Sequence, residues 1–314
     1  MPRLIDRRVI FFSGKGGVGK STLVWASGLC SSKLGKRALI IEIFPSSYPN
    51  LFGVDNLEYK PKEVAKNLWA MHLDPYEALE EYMAHMLKFK PVVKMFLRNK
   101  IFKSLAEVAP AWRELITLGK IWYAESSPQK HPFDIILVDV PATGHGISLF
   151  RVPKAAIKTL GLSPIRTHTL AVQHLLTDPS RTRICVVATP EELAVREALE
   201  LLDIATDEIG IPKGRLFLNM VPPKFNEIDD KKPSATELAK ALEIDEPNRI
   251  HEITQHLARW RERSRTYVQL LESQTSETPY IVPYIPKGIS LNELTALAKA
   301  IEPAFLGKRP NDRA

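Results

Sequence analysis

Residues 9–22 read VIFFSGKGGVGKST, a strand-like apolar run followed by a glycine-rich segment. Gly14 to Ser21 fit the pattern G-x-x-x-x-G-K-[ST], and a helical run follows from Ser21 to Leu34. Glycines allow the backbone to curl so that its N–H groups point at phosphate oxygens. The N-terminus of the following helix adds a partial positive charge. A strand, this loop and a helix in that order predict a phosphate-binding site.

The residues of this loop have distinct expected roles. The ammonium group of Lys20 is placed to reach the β- and γ-phosphates of a nucleotide, and the Ser21 hydroxyl is placed to bind magnesium. ATP and Mg²⁺ are therefore the expected cofactors. The predicted nucleotide-binding residues here are Gly14, Lys15, Gly16, Gly17, Val18, Gly19, Lys20, Ser21 and Thr22.

Another candidate for the same site lies at the end of a second apolar run. Asp139 directly follows residues 135–138, which read IILV. A carboxylate at the end of a buried strand is typical of the group that holds magnesium through water in phosphate-loop proteins. We assign Asp139 a catalytic and metal-binding role beside Lys20 and Ser21. The alternative is a turn-forming aspartate, which also favours strand ends.

The rest of the chain predicts an α/β fold. Helical patterns such as Glu191–Ile204 and Thr236–Leu242 lie between short apolar runs. This alternation is typical of a doubly wound, mostly parallel sheet of the P-loop NTPase type, covered on both faces. We expect one domain over residues 1–314. The predicted strands are Val9–Phe12, Ala38–Ile43, Leu68–His72, Ile135–Val140, Ile184–Ala188, Leu216–Leu218 and Ile281–Tyr284.

Two segments depart from this alternation. Residues 75–130 are too long for one crossover helix and contain helical patterns interrupted by Pro91 and Pro110, so we predict a helical insertion. Its apolar side chains either bind a varied apolar partner or pack on one another. Residues 303–314 are polar and predict a flexible tail. The apolar residues of the insertion include Met83, Met86, Phe89, Met95, Phe96 and Phe102.

The composition is that of a globular protein. Hydrophobic residues make up 45% and charged residues 25% of the 314 residues, and the formal net charge is +7. No stretch approaches the roughly 20 apolar residues of a membrane span, and the N-terminus lacks a signal-peptide core, so we expect a cytoplasmic protein. The cations are scattered without a nucleic-acid motif, so no nucleic-acid partner is expected. Cys30 and Cys185 lie in apolar surroundings and are expected to be buried.

A second lysine, Lys15, extends the loop pattern to K-G-G-x-G-K-[ST]. This resembles the deviant Walker A group, which includes the MinD, ParA, nitrogenase iron protein and arsenite-pump ATPases. The resemblance implies that Lys15 reaches across a dimer interface to the partner's nucleotide, and so acts with the catalytic residues. The alternative is an ordinary solvated lysine.

Two further segments narrow the resemblance to one branch of that group. Residues 139–146, DVPATGHG, resemble the D-T-A-P-T-G-H-T switch II of the arsenite-pump and tail-anchored-protein-targeting ATPases. Residues 218–222, LNMVP, are similar to the segment in which an Asn side chain pairs with adenine, which implies that role for Asn219. The family resemblance implies a parallel-sheet ATPase that cycles as a dimer between open and closed states.

The loop after the second predicted strand departs from that branch. Residues 43–50 read IFPSSYPN where the family's switch I has D-P-A-H-x-L-x-D. Counted without gaps, Asn50 occupies the position of the last Asp, which orients the attacking water in the family. An amide can hold water but is a very poor general base, so we expect slow hydrolysis. Glu42, at the end of the preceding strand, is an alternative residue for activating the water, but it does not align with the family's Asp.

Other departures bear on the partners. The metal-binding cysteines of the arsenite enzyme and the C-x-x-C zinc site that bridges the targeting ATPase are absent from the sequence. The leading hypothesis is an ATP-driven homodimeric switch that handles a protein or apolar client, with a membrane-protein partner as one option. The alternative is a non-hydrolysing or slow ATP-binding subunit of a heterodimer with a related ATPase. A ParA-like DNA-binding role lacks the clustered basic residues it would need.

Overall fold

A single sheet forms the centre of the computed structural model, which describes residues 3–87, 111–126, 133–142, 145–161, 163–222, 247–286 and 288–310. Its strands are β1 (Val9–Ser13), β2 (Ala38–Glu42), β3 (Lys62–Ala65), β4 (Leu68–His72), β5 (Ile135–Asp139), β6 (Thr182–Ala188), β7 (Lys213–Val221) and β8 (Tyr280–Pro283). Their order across the sheet is β3-β4-β2-β5-β1-β6-β7-β8.

The sheet is parallel except at one edge, where β3 pairs antiparallel with β4. The chain leaves β1 on one side for β2 and later returns to its other side for β6. Such a reversal opens a crevice at the carboxyl ends of the strands, where α/β proteins bind ligands. The prediction of a doubly wound, mostly parallel sheet is confirmed.

The seven predicted strands all form, and six of them have shifted ends. The run Leu68–His72 matches β4 residue for residue, whereas β7 begins at Lys213, three residues earlier than predicted. Strand β3 was not predicted from the sequence. Its residues are half-buried or exposed, so Lys62–Ala65 lacks the apolar run that marks the buried strands.

Helices cover both faces of the sheet. They are α1 (Lys20–Lys33), α2 (Pro75–Leu87), α3 (Trp112–Ser126), α4 (His145–Thr159), α5 (Pro164–Thr177), α6 (Glu192–Asp203), α7 (Pro247–Thr275) and α8 (Leu291–Phe305). Short 3₁₀ helices span Leu4–Asp6 and Tyr48–Phe52, and a π turn spans Ile204–Ile209. The predicted helix Thr236–Leu242 lies outside the described residues.

Each face has its own apolar core. On one face α1 packs against α8, and their side chains meet Phe12 and Phe217 of the sheet. On the other face α3, α4, α5 and α6 cover Phe11 and Val138. Because β1, β2 and β5 are buried on both faces, every residue in them is buried, which is why these strands appear in the sequence as continuous apolar runs.

The structure describes part of the predicted helical insertion and part of the predicted tail. Within the insertion, α2 and α3 pack together, and residues 88–110 lie outside the described residues. The tail predicted from residue 303 starts too early, because α8 continues to Phe305, whose side chain is fully buried. The Lys308 N–H also donates to the Pro303 carbonyl at 3.0 Å.

Two further expectations concern burial. Cys30 and Cys185 are buried and unpaired with each other, and burial raises the pKa of each thiol to about 12. Among the helices of the described ranges, none combines the length and the apolar composition that crossing a membrane requires.

Candidate functional site

The glycine-rich loop joins β1 to α1 at the carboxyl edge of the sheet. Since β1 lies between β5 and β6, the ends of both neighbours flank the loop. Gly19 precedes α1 with a φ of 86°, and no side chain caps the first turn of the helix. The first N–H groups of α1 are therefore open to an anion, which the helix N-terminus attracts.

Two of the loop glycines are required by close contacts. A Cβ on Gly14 would lie 2.2 Å from the carbonyl oxygen of Val187, at the end of β6. A Cβ on Gly19 would lie 2.2 Å from Nδ2 of Asn219, near the end of β7. The backbones at Gly14 and Gly19 also have positive φ values of 152° and 86°. The loop therefore has no room for a side chain at either position.

Lys20 folds back over the loop. Its Nζ donates a hydrogen bond to the Lys15 carbonyl oxygen at 2.9 Å. Burial lowers the pKa of Lys20, and the nearby Asp139 carboxylate opposes that shift. An ammonium group has three N–H donors, so Lys20 retains donors for a phosphate group held in the loop.

The two predicted magnesium ligands lie in direct contact. The Ser21 hydroxyl donates to Oδ2 of Asp139 at 2.5 Å. Asp139 is buried, and this burial raises its pKa to about 6, while the Ser21 hydrogen bond and Lys20 act against the rise. A carboxylate with such a raised pKa favours a cation beside it, because a positive charge stabilises its ionised form.

This pair suits a magnesium ion that arrives with a nucleotide. Hydroxyl and carboxylate oxygens are hard ligands, and Mg²⁺ is commonly held by one or two protein groups together with phosphates and water. Across the described part of the chain, no three His, Cys, Asp or Glu side chains converge to hold a metal. The remaining ligands of an ion at Ser21 and Asp139 would therefore come from the nucleotide and water.

Glu42 lies beside Asp139 at the end of the adjacent strand, where the register pairs the two residues. Oε1 of Glu42 accepts hydrogen bonds from Trp25 Nε1 at 2.8 Å and from the Ser46 hydroxyl, and Oε2 accepts from the Ser46 N–H at 3.1 Å. Both oxygens of this buried carboxylate are thus engaged by α1 and by the loop after β2. Glu42 holds that loop in place.

A second link between α1 and the same loop involves Tyr48. Its hydroxyl and the Thr22 hydroxyl share a hydrogen bond, and its ring stacks on Trp25 at a centroid distance of 6.3 Å. Burial raises the pKa of Tyr48, so the phenol is neutral. Sequence reasoning missed Tyr48 because a single tyrosine in a loop belongs to no recognisable pattern.

Asn50 lies apart from this group. It is exposed within the 3₁₀ helix Tyr48–Phe52. With its amide oriented to donate, the side-chain nitrogen reaches the carbonyl oxygens of Val54 and Asp55, each at 3.1 Å. Among the described residues no hydrogen bond connects Asn50 with Asp139. Its predicted water-positioning role therefore stays a prediction.

Asn219 supports the glycine loop from β7. The side chain is buried, and Nδ2 donates to the Val18 carbonyl oxygen at 2.8 Å. Together with the close approach of Gly19, this contact places Asn219 against the glycine-rich loop. Base recognition by Asn219 stays a prediction, since the contact found here is with the protein backbone.

Lys15 projects toward α6. Its Nζ lies 3.8 Å from Oε1 of Glu197, and both side chains are partly exposed. An exposed ion pair of this kind contributes about 0–1 kcal/mol, so it exchanges readily for another partner. The role of Lys15 across a dimer interface stays a prediction.

The segment predicted as switch II is described in part. Thr143 and Gly144 lie outside the described residues, while α4 begins at His145. A Cβ on Gly146 would lie 2.7 Å from the Pro141 carbonyl oxygen, so only glycine allows α4 to start this close to the end of β5.

Comparisons with known proteins agree on one family. The family model described as anion-transporting ATPase matches residues 7–168. The putative arsenical pump-driving ATPase 1 of Aquifex aeolicus is 24% identical over 350 residues, which cover 98% of this chain and 80% of that protein. ATPase BagA of Mycobacterium tuberculosis is 26% identical over 322 residues, covering 95% and 94%. An arsenical pump-driving ATPase of Escherichia coli is 26% identical over 240 residues, covering 70% and 40%.

Proposed function

This chain belongs to the anion-transporting ATPase family, and from that premise we propose that it is a magnesium-dependent ATPase that opens and closes as a dimer. The observation that carries the proposal is the contact of Ser21 with Asp139 beside Lys20, in a loop where close contacts at Gly14 and Gly19 leave no room for a side chain. The direct test is ATP turnover by the pure protein, measured together with its mass in solution.

Each residue of the site has a task in this function. The backbone N–H groups of the loop and the Lys20 ammonium bind the β- and γ-phosphates and offset the charge that develops during transfer. Ser21 and Asp139 would hold magnesium, which neutralises phosphate charge when it is bound. Glu42, through Ser46, keeps the loop after β2 next to the phosphates.

The dimer would form at the carboxyl edge of the sheet. Lys15 lies at this edge, and its ion-pair partner among the described residues is Glu197, whose contribution is weak. Two large apolar side chains are exposed at the same edge: Phe44 follows β2 and is 63% exposed, and Leu193 near the start of α6 is 57% exposed. An isologous interface here would cover both and bring each Lys15 to the other subunit's nucleotide.

Light scattering with a non-hydrolysable ATP analogue tests this dimer. The wild type should double its mass when the analogue and magnesium are added, whereas Lys15→Ala should bind the analogue but stay monomeric. Lys33→Ala is the matched control, because Lys33 is exposed at the far end of α1. Equal nucleotide-dependent mass in wild type and Lys15→Ala would remove the proposed role of Lys15.

We also infer that the dimer handles a protein or apolar client. The support is the number of methionines and phenylalanines in the sequence of the insertion. Most of these side chains belong to residues 88–110, which lie outside the described residues. A fluorescent apolar dye should bind more strongly in one nucleotide state than in the other. Identical dye binding with and without the ATP analogue would contradict a nucleotide-controlled apolar surface.

A second candidate is a slow or non-hydrolysing subunit of a heterodimer with a related ATPase. The observation that favours it is the loop after β2, where Glu42 is fully engaged and the exposed Asn50 bears an amide. Such a subunit would bind MgATP with one-to-one stoichiometry and show almost no turnover at any protein concentration. Turnover that rises with protein concentration would instead support the active homodimer.

A further inference from the structure

A group of arginines lies at the amino edge of the sheet, opposite the nucleotide site. Arg183 is the second residue of β6 and Arg215 the third residue of β7, and only 8% and 3% of their surfaces are exposed. Arg7 precedes β1, which is the other neighbour of β6. Val187, which touches the glycine loop, is four residues along β6 from Arg183, so roughly 13 Å separate the two regions.

A β-bulge brings two of these arginines to the same face of the sheet. Ile184 pairs with Lys213 and Val186 pairs with Leu216, so β7 carries one extra residue over this interval. Such a bulge redirects the side chains next to it. Arg183 shares a face of β6 with Cys185, and Arg215 shares a face of β7 with Phe217, which lies in the same apolar core as Cys185.

The hydrogen bonds of Arg183 and Arg7 leave part of each guanidinium unused. Nη1 of Arg183 donates to the Thr182 carbonyl oxygen at 3.2 Å, and its buried Nε has no acceptor. Nη1 of Arg7 donates to the carbonyl oxygens of Pro179 and Ser180, each at 3.0 Å, and its Nε is likewise buried without an acceptor. Arg215 adds a third cation, with its Cζ 6.0 Å from the centre of the Tyr280 ring.

The carboxylates at this edge are engaged elsewhere. Glu125 pairs with Arg8 and Arg181, Asp134 with Arg37, and Glu277 with Lys213. Oδ1 of Asp178 accepts from the N–H and hydroxyl of Ser180. Over the ranges that the structure describes, no carboxylate lies within 4 Å of the guanidinium groups of Arg7 and Arg183.

Positive charge is therefore concentrated at a place where, among the described residues, neither Arg7 nor Arg183 has a carboxylate partner within 4 Å. Burial lowers the pKa of Arg183, the neighbouring Arg7 and Arg215 lower it further, and Cys185 and Asp178 act in the opposite direction. A buried charge is costly unless it is paired, and a buried donor without an acceptor often marks an ion or water that completes the site. Guanidinium groups match the oxygens of a tetrahedral oxyanion, to which they donate paired hydrogen bonds.

We propose that Arg7 and Arg183 form a binding site for a small free oxyanion, inorganic phosphate, separate from the nucleotide site. The anion accepts hydrogen bonds from the unused donors of Arg7 and Arg183 and compensates the positive charge of these two guanidinium groups. Because Arg183 is almost fully buried, a phosphate group carried on a larger molecule is expected not to reach its guanidinium group, which favours a small free anion.

Calorimetric titration of inorganic phosphate into the full chain tests this site. Lys20→Ala serves as the background, because the glycine loop is itself an anion site. One phosphate should bind per chain in Lys20→Ala, and the binding should be lost in Lys20→Ala combined with Arg183→Met. Phenyl phosphate should fail to compete with inorganic phosphate. If phenyl phosphate binds as tightly as inorganic phosphate, the site accepts a phosphate ester and the proposal of a free anion is overturned.

Thermal unfolding supplies a readout that a purely structural role would not change. At constant ionic strength, phosphate at about 100 times its Kd should raise the melting temperature of the Lys20→Ala background by about 5 °C. Adding Arg183→Met should abolish that rise without lowering the melting temperature in chloride, because it removes one of three like charges. If the melting temperature of the variant with Arg183→Met still rises by the same amount in phosphate, the proposal of this site is wrong.

Two further variants keep the test decisive. Arg37→Met is the matched control, since Arg37 lies at the same edge but is paired with Asp134 at 2.9 Å, so it should keep the phosphate response. Arg7→Met replaces Arg183→Met if the latter does not fold, because Arg7 is only half-buried. A full phosphate response in Arg7→Met would then overturn the proposal.

Discussion

Two loops flank the nucleotide site, and they are held in different ways. The loop of residues 14–19 is fixed by close contacts of its own backbone, since Gly14 meets the Val187 carbonyl oxygen and Gly19 meets the Asn219 side chain. The loop of residues 43–53 is fixed by side chains, through the bonds of Glu42 to Ser46 and of Tyr48 to Thr22. Both follow parallel strands and both reach α1.

This difference explains why a sequence pattern identifies the first loop and not the second. A loop that binds phosphate with its backbone requires glycines at fixed positions, so its sequence pattern reveals it. A loop held by side chains can use many combinations of residues, so no short pattern identifies it. The first loop therefore predicts ATP binding, and we propose that the second loop sets the rate of ATP hydrolysis.

Gly19→Ala should have the largest effect on the first loop. The new Cβ would lie 2.2 Å from Asn219 Nδ2 at a φ of 86°, and we expect about 2–4 kcal/mol of lost stability together with loss of ATP binding. Gly53→Ala is the control in the second loop, because its φ is 69° but a Cβ meets nothing within 4 Å. Chemical denaturation should show a loss of only about 1–2 kcal/mol there. Equal losses would mean that contact does not fix the first loop.

Asn50→Asp tests whether the second loop limits the rate. If the loop carries this position to the attacking water in the closed dimer, a carboxylate should raise ATP turnover by about 100-fold. Asn56→Asp is the control, since Asn56 is an exposed amide in the same region. If Asn50→Asp leaves the steady-state turnover unchanged, Asn50 has no role in positioning water. Its role would then be structural, through the contacts with Val54 and Asp55.

Glu42→Gln should loosen the second loop and leave the first intact. The amide nitrogen of Gln would face either the Ser46 N–H or Trp25 Nε1, so one buried donor would lose its acceptor at a cost of about 1–3 kcal/mol. Thermal unfolding should reveal this loss, whereas ATP affinity should change little. Glu58→Gln, at an exposed carboxylate, should unfold like the wild type. Equal unfolding temperatures of Glu42→Gln and Glu58→Gln would show that Glu42 does not link α1 to the second loop.

Tyr48→Phe should have the smallest effect of the series. It removes the hydrogen bond to Thr22 but keeps the ring on Trp25, so we expect a loss of about 1 kcal/mol in the free energy of unfolding. Tyr284→Phe, which keeps an exposed ring packed on Trp260, is the control. A loss no greater than in that control would show that the Thr22 bond does not stabilise the loop.

The sequence predicted the features that depend on backbone geometry and burial. The loop pattern and the apolar runs placed the strands of the sheet correctly. Ser21 and Asp139, which the sequence named as magnesium ligands, lie in direct contact, and their binding of magnesium stays a prediction. The sequence did not indicate β3, whose half-buried or exposed residues carry no apolar signal, and the flexible tail was predicted to begin at residue 303 although α8 continues to the buried Phe305.

Side-chain partnerships were harder to predict. Glu42 was considered only as a substitute base, because its bonds to Trp25 and Ser46 depend on how α1 packs against β2. The arginines at the amino edge are far apart in sequence, and only the pairing of β6 with β7 brings Arg183 near Arg215. Such features arise from tertiary contacts that no local pattern records.

Calorimetric titration of MgATP into wild type and Lys20→Ala tests the central claim most directly. The wild type should bind one ATP per chain, with affinity that falls when magnesium is removed. Lys20→Ala should show no binding at ATP concentrations of about 100 times the wild-type Kd, because the phosphates lose their charge-assisted donor. Lys33→Ala should match the wild type. Undiminished one-to-one binding in Lys20→Ala would contradict nucleotide binding at residues 14–21.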